Sequence, residues 1–352
     1  MTIIGTDAQT SQPTKVNALI MSPGERYTVV VNANRNIGSY WIHVRALGLC
    51  THTAARQVAV LHYAGASNQP VSAIPRFNSS ANPNTKTFAV SPVNSRCNSS
   101  NTNGICVSRL RSVNRAPLNV LRPVPDVQII WGFGFHFYPN NELYNNDNYH
   151  LFLQSPGPVV GSTINGIINN LPPSPLLTQY ADIPAGTICD PELQPISQWS
   201  NHRECAHVIK LPVNSVVEIL IVDTATYDPN GISHAIHLHG YDYYIIEQGV
   251  FPDGLQFNQS VQWLKNKLST RQFGDIPQFP VRKDTLALTS GGYTVVRIYT
   301  DNPGFWFFHC HFAYHLDSGM GGVLQVGELS DMIQPPSGFP KCGDFLPSVN
   351  LN

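Results

Sequence analysis

Two short stretches constrain this chain more than anything else in it: His234-Ala-Ile-His237-Leu-His239-Gly240, and His309-Cys310-His311 with His315 and Met320 close behind. The residues before Cys310, Asn302-Pro-Gly-Phe-Trp-Phe-Phe, read as a turn and a buried apolar strand, and Gly319-Met-Gly-Gly after it reads as a glycine-rich loop. On a strand successive side chains point to opposite faces. Cys310 therefore points one way while His309 and His311 point the other. The same parity separates His234 from His237 and His239, which share a face. One face gathers a thiolate, two imidazoles (His234, His315) and a thioether (Met320), the donor set of a blue-copper electron-transfer site. The opposite face gathers imidazoles alone. Unrelated core or surface histidines are the bland alternative. Six of the thirteen histidines lying on two strands with matching parity, with a cysteine between one pair, make it the weaker reading.

These motifs, HAIHLHG and HCHFAYHLDSGM, resemble the two C-terminal copper-binding motifs of multicopper oxidases, with the spacing of laccases of the animal type. The resemblance runs over most of the chain. It implies that His234, Cys310 and His315 hold type 1 copper with Met320 axial. It further implies that His237 ligates type 2 copper, and that His239, His309 and His311 ligate the type 3 pair. An axial methionine lowers the potential of such a site relative to a non-ligating residue.

Charged residues make up 12% of the 352 residues and the net charge is −1, which leaves no basic footprint for nucleic acid. No apolar run approaches the roughly 18 residues of a membrane helix. Met1-Thr-Ile-Ile-Gly lacks the basic start and apolar centre of a signal peptide and reads as the beginning of a strand. Short runs of Val, Ile, Tyr and Thr, punctuated by 26 Gly and 28 Pro, predict an all-β architecture.

The expected organisation is cupredoxin-like Greek-key β-sandwiches, one partial and one complete. Residues 1–66 alternate apolar and polar through Val16-Asn-Ala-Leu-Ile-Met, Tyr27-Thr-Val-Val-Val, Tyr40-Trp-Ile-His-Val and Gln57-Val-Ala-Val-Leu. GERYTVVVNA and SYWIHVRALGLC resemble the later strands of a laccase middle domain, whose opening strands are absent here. Residues 67–120, rich in Ser, Asn, Pro and Arg, read as a linker wrapping a surface rather than a core element. Residues 121–330 hold the second sandwich and the copper motifs, with an insertion containing some helix at 253–280, and 331–352 form a tail. His43, His52, His62 and His136 read as packed or exposed.

His202, Cys205 and His207 could be taken for a zinc site, but zinc sites close with four ligands and no partner cluster appears. Setting Cys310 aside leaves Cys50, Cys97, Cys106, Cys189, Cys205 and Cys342, an even number that fits three disulfides in an oxidising compartment. Asn78, Asn98 and Asn258 open glycosylation sequons. With the resemblance, these point to a secreted, glycosylated protein.

The chemistry implied is one-electron oxidation of phenols or aromatic amines coupled to four-electron reduction of O2 to water. His315 would be the solvent-facing entry for the electron and Cys310 the link to His309 and His311. The acidic side chains Asp228 and Asp317 lie near the ligand loops. Four coppers are expected in a full-length enzyme, and such an enzyme supplies four more histidines as two His-x-His pairs from a first domain. No such pair precedes His237 here. The type 1 set is complete and the trinuclear set half-complete, so the chain is expected to be a fragment lacking that domain. The alternatives are a non-enzymatic blue-copper electron carrier and a ferroxidase, the latter needing acidic residues beside His315 or His234.

Overall fold

The computed structural model describes all residues except 8, 48–53, 69, 71, 77–88, 91–103, 140–158, 190–195, 200, 227–230, 271–274 and 343–352. Cys50, Cys97, His52, Asp228 and the sequons at Asn78 and Asn98 lie outside the described residues.

Strands are the dominant regular structure among the described residues. In the N-terminal part, β1 (Thr2–Thr6) lies between β2 (Gln9–Lys15) and β3 (Tyr27–Val30), and β4 (Ser39–Arg45) forms a hairpin with β5 (Arg56–His62). The alternating runs at 27–31, 40–44 and 57–61 became strands as their periodicity predicts. Val16–Met21 gave only a two-residue strand at Ala18–Leu19.

Ala18–Leu19, Ala89–Val90 and Gly104–Ile105 form a small sheet, and the strands from Val127 onward build one continuous thirteen-stranded sheet that folds back on itself. Its strands are β6 (Val127–Tyr138), β7 (Val159–Ile164), β8 (Ile167–Asn169), β9 (Ile188–Cys189), β10 (Arg203–Leu211), β11 (Val216–Asp223), β12 (His234–Leu238) and β13 (Tyr243–Val250). After helix α1 (Phe257–Ser269) come β14 (Arg282–Lys283), β15 (Thr285–Leu288), β16 (Gly292–Tyr299), β17 (Gly304–Cys310), the short helix α2 (Ala313–Asp317) and β18 (Gly321–Val326). The order is β14-β13-β16-β11-β6-β7-β8-β10-β18-β17-β12-β15, with β9 beside β10.

The first half of this path and the second half enclose one core. Trp131, Phe133, Ile219, Tyr243 and Ile298 from one layer meet Ile236, Leu286, Phe308 and Leu324 from the other. Trp131 stacks on Phe308 with ring centroids 4.2 Å apart, a pair worth about 0.5–1.5 kcal/mol beyond its buried area. Strand β11, Val-Val-Glu-Ile-Leu-Ile-Val-Asp, is buried at every position. The unbroken apolar run has a cause: Val217, Ile219 and Ile221 face the central core, while Leu220 and Val222 face a second core under α1 with Leu264 and Tyr293. The expectation of some helix within 253–280 is met by α1, whose first turn carries the exposed Asn258.

Two expectations need correction. Residues 107–120 are not merely a surface wrap: Val107, Leu110 and Val120 are fully buried, because apolar side chains spaced along an irregular segment can still fill the open end of a sandwich. Cys342 is a free, exposed thiol, so the even-count argument for three disulfides fails, although Cys189–Cys205 is a disulfide and Cys106 is disulfide-bonded. β10, which carries Cys205 and His207, lies inside the sheet between β8 and β18. No described helix is long and apolar enough to cross a membrane.

Candidate metal centre

Strand pairing creates the site. β12 and β17 run antiparallel with Ile236 opposite Cys310 and His237 opposite His309. Pleating then turns His234, Cys310 and the downstream His315 to one face, and His237, His239 and His309 to the other. Each trio brings its donor atoms within 4.8 Å of one another.

In the first cluster Cys310 Sγ lies 3.4 Å from His315 Nδ1 and 3.9 Å from His234 Nδ1. Metal–nitrogen bonds of about 2.0–2.1 Å and metal–sulfur bonds of about 2.3 Å, at trigonal to tetrahedral angles, put sulfur and nitrogen about 3.6–3.8 Å apart. The residues fit one soft metal ion. Met320 is fully buried in the same core cluster as Cys310. His315 sits on α2, whose loop is strapped down by hydrogen bonds from the Ser162 and Asn169 N–H groups to the Ser318 and Gly319 carbonyls. Phe135 and Phe312 flank the His315 ring at 5.1 and 5.3 Å.

Behind His234 stands Asp223, its Oδ2 3.4 Å from Nε2 and only 3% exposed. Burial pushes the His234 imidazole down, but the Asp223 carboxylate and Cys310 sulfur outweigh it and raise the pKa to about 9. Burial likewise pushes the Cys310 thiol up, and the two imidazoles bring it down to about 6. Each partner thus favours the charged form of the other, and a metal held between them would take the place of the proton.

The second cluster holds four imidazoles. The His237–His239, His237–His309 and His237–His311 ring centroids are 4.8, 5.5 and 5.8 Å apart. His309 is pushed down to about 4, first by burial, with the neighbouring imidazoles adding to it against the pull of the Cys310 carbonyl. His239 is lowered by burial and by His237. The neutral imidazole is the form that binds metal, and the lowering at His309 and His239 favours it there. The cluster opens onto a cleft of about 580 Å³ lined by Tyr241, Asp242, Arg282, Asp284, Asp301 and Trp306. Gly240, at φ +74°, bounds it: a Cβ there would stand 2.2 Å from the Trp306 ring.

His202, Cys205 and His207 do not converge on a metal. The Cys205 sulfur is committed to Cys189, His207 is wholly buried, and His202 stacks on His136 at 3.7 Å. Asp317 is exposed on α2. The supporting side chains Asp223, Asp284 and Thr285 escaped sequence reasoning. The one available signal was an acid ending a mostly apolar strand, as Asp223 ends β11.

The chain is similar to known proteins over most of its length. A family model described as multicopper oxidase matches residues 172–330, and a second with the same description matches residues 1–66; together they cover more than half of the chain. Laccase-22 of Oryza sativa subsp. japonica is 26% identical over 358 residues, covering 97% of this chain and 56% of its own length. A laccase of Neurospora crassa is 26% identical over 343 residues, covering 95% and 45%. The chain spans about half the length of the curated relatives it matches. Among solved structures, Fet3p, titled a multicopper oxidase that functions in iron import, superposes with TM-score 0.56 at 18% identity over 92% of this chain and 51% of that one. The laccase from Botrytis aclada gives TM-score 0.55 at 21% identity, over 95% and 48%. These two structures share the fold.

Proposed function

The chain belongs to the multicopper oxidase family, and from that premise we propose that it carries the copper motifs of a laccase-type oxidase acting on phenols or aromatic amines with O2 as the final acceptor. The observation that carries this reading is the convergence of His234 Nδ1, Cys310 Sγ and His315 Nδ1 on one face of a strand pair whose other face holds four imidazoles. In this assignment His234, Cys310, His315 and Met320 hold type 1 copper, His237 holds type 2, and His239, His309 and His311 hold the type 3 pair. Copper would supply a one-electron acceptor on the first face and, on the second, a centre for the four-electron reduction of O2.

The chain's own residues do the rest. Asp223 fixes the His234 ring, so that its Nδ1 faces the sulfur. The strapped α2 loop holds the partly buried His315 where an electron donor meets it. The backbone of Cys310 joins the two faces, with His309 and His311 as its immediate neighbours. The proposed organisation is a partial cupredoxin-type unit at 1–66, a connection at 67–120, a complete unit at 121–330 and a tail at 331–352. The disulfide supports an extracellular setting. A ferroxidase gains nothing from Asp223, which is buried and accepts the Ala225 N–H instead of facing solvent.

The test is copper content by elemental analysis with oxygen uptake in the presence of a phenol. Four imidazoles leave a three-copper cluster under-coordinated, so the chain should bind about one copper tightly and be bleached by a phenol without turnover. Cys310→Ser should bind no blue copper. A loaded chain without the blue band would overturn the reading. Sustained oxygen uptake at three or more coppers would show that the second cluster draws its missing ligands from another chain.

A further inference from the structure

The turn at Ser22–Arg26 belongs to the N-terminal part of the chain, and 258 positions separate Arg26 from Asp284. It nevertheless reaches two of the four imidazoles of the second cluster. Arg26 donates through Nη1 and Nη2 to both carboxylate oxygens of Asp284, at 2.7 and 2.6 Å. The Thr285 hydroxyl donates to Asp284 Oδ1 at 2.7 Å. Having donated there, its oxygen is left to accept from His237 Nδ1, 3.0 Å away. The Asp284 carbonyl lies 3.0 Å from the same nitrogen and Asp284 Oδ1 lies 3.5 Å from it. Three acceptors surround Nδ1, so the ring proton sits there and the Nε2 lone pair is left for the cluster.

Two positions earlier, Gly24 has φ +82°, and a Cβ on it would stand 2.5 Å from His311 Cδ2 and 2.8 Å from Cγ. The turn is itself held: Ser22 N–H donates to Glu25 Oε2 at 2.7 Å, and Glu25 Oε1 lies 3.4 Å from the wholly buried Lys283 Nζ. Asp7 Oδ2 contacts the same Nζ at 3.0 Å.

We infer that Gly24 and Arg26 are positioning residues for the second cluster. Gly24 sets how closely the His311 ring approaches the turn, and Arg26, through Asp284 and Thr285, holds His237 in its Nδ1–H tautomer. This rests on the cluster's proposed role as a metal site, but the test begins without metal.

The full chain, labelled with ¹⁵N-histidine and metal-free, is read by long-range ¹⁵N–¹H spectra that distinguish the tautomers. Wild-type His237 should be Nδ1–H. Arg26→Gln should let the Nε2–H form appear, Arg26→Lys should restore most of the original, and Gly24→Ala should move the His311 resonances. The His234 and His315 signals should stay in place, which also reports that each variant is folded. On titration with copper, Arg26→Gln should weaken the second cluster about tenfold or more and leave the first unchanged. A wild-type His237 protonated at Nε2 overturns the inference. So do unmoved His237 and His311 signals in folded Arg26→Gln and Gly24→Ala. If Arg26→Gln does not fold, the wild-type tautomer and Arg26→Lys decide. The expected tautomer in a chain that takes up no copper at all would support this inference while overturning the proposed function.

Discussion

Met320 keeps its place through its backbone. Its carbonyl accepts the Cys310 N–H at 3.0 Å and its N–H donates to the His315 carbonyl at 2.9 Å. Met320→Leu should therefore leave the loop and the three strong donors intact and remove only the thioether. The copper should stay blue while the reduction potential rises, as read by a redox titration followed at the blue band. An unchanged potential would mean the sulfur is not axial. At this scale the sequence was most informative about donors and least about what holds them. Histidines two apart, and a cysteine between two of them, declare their faces through the period of a strand. Asp223, Asp284 and Arg26 sit far from those motifs in the chain. Only the sheet register and a turn brought from the N-terminal part place them beside the rings.

Among the elements, β11 shows how a strand ties the layers together. Glu218 is one of two acids on this strand, with Asp223 at its end, and is matched by Arg297 on β16, whose Nε and Nη2 donate to Glu218 Oε2 at 2.9 and 2.8 Å. Arg297 also donates to the carbonyls of Val120 and Arg122, at 2.7 and 2.5 Å, and so pins the segment entering β6. Glu218→Gln keeps the shape but leaves a buried guanidinium without its counter-charge. The expected loss is about 3–5 kcal/mol, measured by denaturant unfolding; a loss under about 1 kcal/mol would show that the carbonyls alone satisfy Arg297. The strand itself was legible as an apolar run. That both its faces are buried was not, because the second face depends on α1, and nothing in an insertion with some helix says which strand it will cover. The irregular 107–120 segment was misjudged for a similar reason: its apolar residues follow neither a helical nor a strand period, so nothing local announces that they fill a core.

For the whole molecule, acid should be the weak side. His207 is wholly buried, and burial, only partly offset by a backbone contact to Gly321, pushes its pKa down to about 3. In the unfolded chain the imidazole takes up a proton below about 6.5, while the folded chain resists until about 3. Stability is therefore complete above the unfolded value and is lost as pH falls through that window, by on the order of 3 kcal/mol between pH 7 and pH 4. Melting temperatures across this range should fall less steeply in His207→Leu than in the wild type, and equal slopes would remove His207 from the account. The fold class and both histidine faces were readable from the chain, whereas the contacts that seat residues 1–30 on the copper-motif sheet were not, since they join charges such as Asp7, Glu25 and Lys283 that carry no local pattern. The pleat that sorts the donors also fixes a length. Under the proposed assignment, the gap an electron crosses is the thickness of one β-strand, bridged by covalent bonds, and no side-chain substitution stretches or shortens it. Evolution can then tune the speed of such a protein through driving force and reorganisation energy, by adjusting what surrounds Cys310 and His309, because distance is not among its variables.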